Sequence, residues 1–140
     1  MRRLRVGFVF LLLLALIAGG AGCGSEDDEG TVLGLVHRYL AALDARDWQT
    51  IYDLRRPDSM GSSYEEAEPE IVEMFNDMMR NSCGAPESSP GSSIGGTDVD
   101  VLVTGSRAVA SWKVTCDGQR VDVTVAQRLA KIDGKWYLEG

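Results

Sequence analysis

The sequence is short of the residue types on which most catalytic and metal sites depend. It contains one histidine, His37, and three cysteines among its 140 residues. It has no Cys-x-x-Cys pair, no phosphate-binding glycine loop and no dinucleotide fingerprint. The acidic residues also lack the oxygen spacing of a calcium loop. We therefore expect no catalytic set, no metal site and no cofactor.

Basic residues are also scarce. Fourteen Lys and Arg stand against 21 Asp and Glu, which gives a formal net charge of −7. Arg2, Arg3 and Arg5 lie at the very start of the chain, so the remainder is more acidic still. Nucleic-acid binding requires clustered cations that contact phosphates. The composition therefore excludes nucleic acid as the expected partner, and acidity alone selects no other.

The one long apolar run lies at the N-terminus. Residues 6–18 follow the three arginines, and they make roughly 20 Å of helix against a hydrocarbon core of about 30 Å. Residues 19–22 are small, and Cys23 comes directly after them. This order predicts an export signal over residues 1–22. An ordinary secretory signal cut nearby and a permanent membrane anchor are the alternatives.

Small residues before a cysteine, at the end of an apolar run, resemble the lipobox of bacterial lipoproteins. The resemblance implies that Cys23 receives a lipid and that the chain is cut just before it. The sequence departs from the pattern at Gly20, where these proteins usually have leucine. Residues 23–30 are acidic and poor in apolar side chains, so we expect a flexible tether. The protein is then expected at the cell membrane, lipid-anchored and facing the extracytoplasmic side.

Cys83 and Cys116 are the other two cysteines. An even pair in an exported chain indicates a disulfide. The bond would close a loop of roughly 34 residues and stabilise the fold by about 3–4 kcal/mol. A redox pair or a metal-binding pair is the alternative, although His37 is distant from both in the sequence.

Residues 31–140 are predicted to form one α+β domain. Apolar residues at helical spacing predict helices over residues 31 to about 47, over 48–54, and from Pro69 onward. The third helix carries a stripe that suits packing on a sheet or, alternatively, a Met-rich ligand groove. After a loop over 81–97 the period becomes two, which predicts four antiparallel strands with tight turns at Asp117-Gly118 and Asp133-Gly134. Helices followed by strands give a layered α+β fold.

This order of elements resembles the NTF2-like (cystatin-like) superfamily. The resemblance rests on the helical stretch VHRYLAALDARDWQTIYDL and on the closing hairpin KIDGKWYLEG. It implies a curved antiparallel sheet wrapped around N-terminal helices, which form a cone with a pocket. The superfamily includes steroid isomerases, polyketide cyclases and non-catalytic binding modules, and many relatives form homodimers through the outer face of the sheet. The fold therefore does not fix the function.

Two functions are compatible with these features. The working hypothesis is a non-catalytic domain that binds a small apolar ligand or an envelope protein. The alternative is an isomerase or dehydratase in which His37, at the edge of the first apolar stripe, acts with an aspartate. Asp98, Asp100 and Asp122 alternate with valines and are expected to face solvent. The aromatic residues that could line the cone, but that equally resemble ordinary core, are Tyr39, Trp48, Tyr52, Phe75, Trp112, Trp136 and Tyr137.

Overall fold

A computed structural model describes residues 26–59, 63–84 and 92–140. Three helices precede four strands, and the strands form one antiparallel sheet in the order in which they follow along the chain. This arrangement confirms the predicted α+β class. The predicted export signal and Cys23 lie outside the described residues. The elements are α1 (Glu26–Ala45), α2 (Trp48–Leu54), α3 (Tyr64–Cys83), β1 (Ile94–Thr104), β2 (Arg107–Cys116), β3 (Gln119–Ile132) and β4 (Lys135–Leu138).

Helix α1 begins before its predicted start. Residues 26–30, which the sequence predicts as part of a flexible tether, form the first part of the helix. Acidic side chains suit the positive N-terminal end of a helix. Asp28 also accepts hydrogen bonds at Oδ1 from Lys131 Nζ (2.7 Å) and from Trp136 Nε1 (3.1 Å). The prediction for these residues was therefore wrong, because contacts with β3 and β4 hold the acidic segment on the domain.

Helix α3 also begins earlier than predicted. The sequence predicts a start near Pro69, but Ser63 is the N-cap, and its hydroxyl accepts a hydrogen bond from the Glu66 backbone N–H at 3.4 Å. Ser63 and Glu66 have the spacing of a capping box, a stronger start signal than proline. Pro69 lies inside the helix, where it removes one backbone hydrogen bond. The helix ends at Gly84, which adopts the left-handed conformation that favours glycine.

The predicted tight turns are confirmed. Asp117-Gly118 and Asp133-Gly134 connect β2 to β3 and β3 to β4, and all four residues have positive φ. Positive φ at both central residues gives a turn whose twist matches that of the flanking strands. Strand β1 begins at Ile94, earlier than predicted, because a bulge between Thr97 and Asp100 interrupts the alternation. Because of the bulge, the first part of the strand does not continue the two-residue alternation from which the strand was predicted.

The core lies between the helices and the inner face of the sheet. Helix α1 lies mainly over β1, and α2 packs against both α1 and α3. The middle of β3 is covered less fully, since its inner-face valines are only partly buried. One hydrophobic cluster extends from Val32 to Leu138. A fragment of residues 24–140, which omits the predicted export signal and Cys23, therefore contains the whole cluster. The inner face of β2 follows the predicted alternation and is buried at Ala108, Ala110, Trp112 and Val114.

Cys83 and Cys116 are joined in the structure, as predicted, with their Cα atoms 5.8 Å apart. Cys83 is the last residue of α3, and Cys116 is the last residue of β2. The disulfide therefore ties the third helix to the sheet across the loop between α3 and β1.

Gly96 is expected to be the least replaceable glycine of the sheet. A Cβ atom at this position would lie 2.5 Å from Trp112 Cδ1 and 3.0 Å from Leu40 Cδ1. Gly96→Ala should lower the free energy of unfolding by about 1–3 kcal/mol, because the added methyl overpacks the core. Gly34→Ala on α1 is the matched control, since a Cβ there meets nothing within 4 Å. Urea unfolding of the fragment 24–140 checks both variants, and a Gly96→Ala protein as stable as wild type would contradict the expectation.

The contacts of Asp28 predict a pH dependence of stability. Its pKa is lowered, first by the hydrogen bond from Lys131 and second by the bond from Trp136. A carboxyl group whose pKa is lower in the folded state stabilises the protein above its unfolded pKa of about 3.9, and the contribution disappears as the pH falls through the folded pKa.

Asp28→Asn should therefore be less stable than wild type at pH 7, and the difference should shrink as the pH falls below about 4. The asparagine keeps an acceptor oxygen, so the comparison isolates the charge. Asp27→Asn is the control, because Asp27 is an exposed neighbour on the same turn. Thermal unfolding at several pH values measures the effect, and a constant difference between pH 7 and pH 2.5 would contradict it.

Candidate functional site

The only histidine is not part of the interior. His37 lies on α1 with its side chain exposed. Among the described residues no hydrogen bond or ion pair joins it to a carboxylate. Asp98, Asp100 and Asp122 are exposed as predicted, and Asp98 forms an ion pair with Arg120. The structure therefore does not bring His37 together with the aspartate that an acid–base mechanism would need.

Aromatic side chains fill much of the space between the helices and the sheet. Tyr39 and Trp112 meet edge to face with their ring centroids 6.1 Å apart, and Trp48 meets Phe75 in the same way at 4.9 Å. The core interpretation of the aromatic set therefore fits its buried members. The buried aromatics are Tyr39, Phe75, Trp112 and Trp136, while Trp48, Tyr52 and Tyr137 are partly exposed.

Arg55 is the one charged or polar residue that is buried in the described part of the chain, with 8% of its surface exposed. It is the C-cap of α2, and its backbone N–H donates to the Tyr52 carbonyl at 3.1 Å. It also forms a parallel bridge with Leu138 at the end of β4. The next backbone N–H, from Arg56, donates to the Leu138 carbonyl at 3.1 Å. These bonds fix the backbone of Arg55 between the helices and the last strand. The side chain of Arg55 is buried at this position.

The guanidinium of Arg55 has few partners. Its Nη2 lies 2.6 Å from Met74 Sδ on α3, and its buried Nε has no hydrogen-bond partner among the described residues. The Tyr39 hydroxyl oxygen is within hydrogen-bonding reach of the guanidinium and can accept from it. Burial raises the pKa of Tyr39, and the positive charge of Arg55 opposes that rise. The interior therefore holds one cation beside a phenol, a thioether and apolar side chains.

The neighbouring Arg56, unlike Arg55, forms ion pairs. Arg56 is partly exposed and has two carboxylate partners, Asp58 at 2.8 Å and Glu139 at 3.6 Å. None of the ion pairs in the described residues includes Arg55. Arg55 is not recognisable from the sequence, because the run Arg-Arg-Pro-Asp is typical of a solvated helix end. Only the pairing with Leu138 turns the first arginine inward.

Other parts of the described surface offer less to a ligand. An open depression is lined by Lys113, Arg120, Val121 and Asp122, and its charges are mixed. The described residues contain no group of His, Cys, Asp and Glu side chains able to hold a metal ion. Their helices include none that is long and apolar enough to cross a bilayer.

Comparison with solved structures identifies the fold. A protein of unknown function with a cystatin-like fold from Nostoc punctiforme superposes with a TM-score of 0.56 at 20% identity, over 81% of this chain and 87% of its own. An NTF2-like protein of unknown function from Pseudomonas putida gives 0.57 at 16% identity, over 84% of each chain. This chain has the NTF2-like fold.

A third similar structure carries a functional description. It is a candidate dehydratase of the NTF2-like family from Streptomyces avermitilis, with a TM-score of 0.53 and 18% identity, over 80% of this chain and 91% of its own. No family model and no curated protein matches the sequence. At these identities the likeness supports the fold alone. The function of this NTF2-like domain has to be argued from its own residues.

Proposed function

We propose that the chain is an exported lipoprotein whose NTF2-like domain binds a ligand and catalyses no reaction. The observation that carries the binding role is Arg55, a buried cation with an unsatisfied donor inside the fold. A buried donor left without a partner costs about 1–3 kcal/mol, and more when the group is charged. A ligand that supplied the missing acceptor would recover that free energy.

The export part of the proposal rests on the sequence. Arginines, a short apolar run, small residues and Cys23 follow one another in the order typical of lipoprotein signals. The lipid on Cys23 would hold the domain on the extracytoplasmic side of the membrane. The net negative charge of the chain disfavours contact between the domain and anionic headgroups.

The alternative is an enzyme of the isomerase or dehydratase type, and one similar structure is a candidate dehydratase. That mechanism would need His37 beside a carboxylate in the interior. His37 is exposed on α1, so the geometry favours binding over acid–base chemistry.

Processing of Cys23 tests the anchor. When lipoprotein signal peptidase is blocked in cells that make the full chain, an uncleaved precursor should accumulate. Cys23→Ala should abolish incorporation of labelled palmitate, whereas Cys83→Ala, the matched control, should leave it intact. Normal processing under the block would refute acylation at Cys23.

A neutral apolar probe tests the binding role. N-phenyl-1-naphthylamine should bind the fragment 24–140 saturably, with about one site per chain and a micromolar to millimolar Kd, as expected for a small ligand in an apolar site. Fluorescence titration measures it. Failure of the probe to saturate would count against an interior site for apolar ligands.

We also propose that the domain forms a homodimer through the outer face of its sheet. Leu102 of β1 and Val109 of β2 are cross-strand partners and are 69% and 43% exposed. Exposed apolar side chains that adjoin one another mark protein contacts more often than isolated ones do. Leu102→Asp should shift the fragment 24–140 toward monomer in sedimentation velocity, while Thr104→Asp on the same strand should not. Identical sedimentation of wild type and Leu102→Asp would contradict a dimer through this face.

A further inference from the structure

We propose that Arg55 is the anion-binding group of an interior site that takes an apolar monocarboxylate. The site lies where the end of α2 meets β4, beneath α1 and α3. This inference rests on the proposed binding function and gives it a ligand class.

The positive charge of Arg55 has no negative charge beside it in the described structure. A buried cation is stable only where an anion or several acceptors replace the water that it has lost. Arg55 is 8% exposed and has no carboxylate partner among the described residues, although acidic residues outnumber basic ones in this chain. Arg56, the next residue, has two carboxylate partners. Because no carboxylate of the described residues pairs with Arg55, an anion from outside the chain could bind there.

Two donors of Arg55 point in the same direction. Nε and Nη2 project their hydrogens from the same edge of the guanidinium plane, so together they form a two-donor fork. In Arg55 the Nε donor has no partner among the described residues, and Nη2 meets Met74 Sδ, a weak acceptor. The neutral Tyr39 hydroxyl is within hydrogen-bonding reach of the guanidinium, but it brings no negative charge. A carboxylate presents two oxygens at the spacing of this fork and accepts two parallel hydrogen bonds from it.

The surroundings of Arg55 select a monocarboxylate among the oxyanions. One guanidinium balances one negative charge, and the groups beside it in the described structure include the Tyr39 phenol, the Met74 thioether and apolar core side chains. Gly140 lies on its Nη1 side, where a Cβ atom at that residue would be 3.5 Å from Nη1. A dianionic phosphate would bring a second charge that no described cation neutralises there. A monocarboxylate fits the charge, and an apolar or aromatic body fits the surroundings.

The Met74 side chain would have to move for a carboxylate to reach both donors of Arg55. It is only partly buried on α3, whereas the core residues around the site are closed off from solvent. Methionine has a flexible, unbranched side chain that adapts readily to a different neighbour. Rotation of Met74 away from Nη2 would release the second donor of the fork and connect it with the surface.

The experiment compares an acid with its neutral isostere. The full chain, purified in a non-ionic detergent, is titrated with 1-naphthoate and with 1-naphthamide by calorimetry and by thermal unfolding. We expect naphthoate to bind at least about tenfold more tightly than the amide, and to raise the Tm, because only the acid pairs with the fork. Arg55→Met should remove this preference, and Arg56→Met, the matched control on the surface, should keep it.

The outcomes separate the two proposals. Equal affinity for acid and amide, or full naphthoate binding by Arg55→Met, would overturn the carboxylate site while leaving the binding function in place. If neither compound binds and the neutral naphthylamine probe also fails, both proposals are wrong. If neither compound binds while the probe does, only the carboxylate site is overturned. The wild-type comparison of acid with amide decides the question even if Arg55→Met does not fold.

Discussion

Replacing Trp112 with alanine is expected to lower the free energy of unfolding by about 3–5 kcal/mol, the largest effect of any single change proposed for this protein. Trp112 lies on the inner face of β2 and is 2% exposed. It meets the ring of Tyr39 edge to face, and its Cδ1 lies where any side chain at Gly96 would have to go. Removal of the indole would leave a cavity between α1 and the sheet that backbone atoms cannot fill by small shifts.

Trp48→Ala is the control, because it removes the same side chain from a partly exposed position on α2. Its loss of stability should be clearly smaller, since less buried area and a smaller cavity are involved. Urea unfolding of the fragment 24–140, followed by far-ultraviolet circular dichroism, measures both variants. Equal losses at the two positions would show that Trp112 is not the centre of the core.

The second large effect is expected from the disulfide. The double variant Cys83→Ser with Cys116→Ser should lose about 3–4 kcal/mol, because the unfolded chain regains the entropy of a loop of roughly 34 residues. The bond ties the end of α3 to the end of β2, so its loss also removes the covalent link between the third helix and the sheet.

The fragment 24–140 lacks Cys23, which makes the test direct. Wild-type fragment under reducing conditions should unfold at the same urea concentration as the double variant, and oxidised wild type should unfold later. Thiol titration of the unfolded oxidised fragment should find no reactive group. Two titratable thiols in protein purified from the cell envelope would show that the bond is not formed in the cell.

The sheet could be predicted well because its signals are local. Alternation of valine with polar residues places one face inward, and Asp-Gly pairs fix the turns by their tolerance of positive φ. The start of α3 could also have been found, since Ser63 and Glu66 carry the capping-box spacing. Pro69 does not mark the start of the helix, because a helix also tolerates proline a little beyond its first turn, where only one backbone hydrogen bond is lost.

The start of α1 and the burial of the Arg55 side chain could not be predicted in this way. Asp28 is helical because it reaches Lys131 and Trp136, which follow it by more than a hundred residues. Arg55 is buried because Leu138, near the end of the chain, pairs with its backbone. Neither long-range contact leaves a periodic trace in the sequence, so the partly buried Asp28 and the buried Arg55 have the sequence pattern of ordinary surface residues.

The early start of α1 has a consequence for the anchored protein. If Cys23 carries the lipid, only Gly24 and Ser25 separate it from the helix that begins at Glu26. Three residues of extended chain reach at most roughly 10 Å, only slightly more than the width of one headgroup layer, which is about 5–8 Å. The domain would then be restricted in its orientation as well as its location, and one end of α1 would face the bilayer. Ligands and partners would approach from the sides that point away from the membrane.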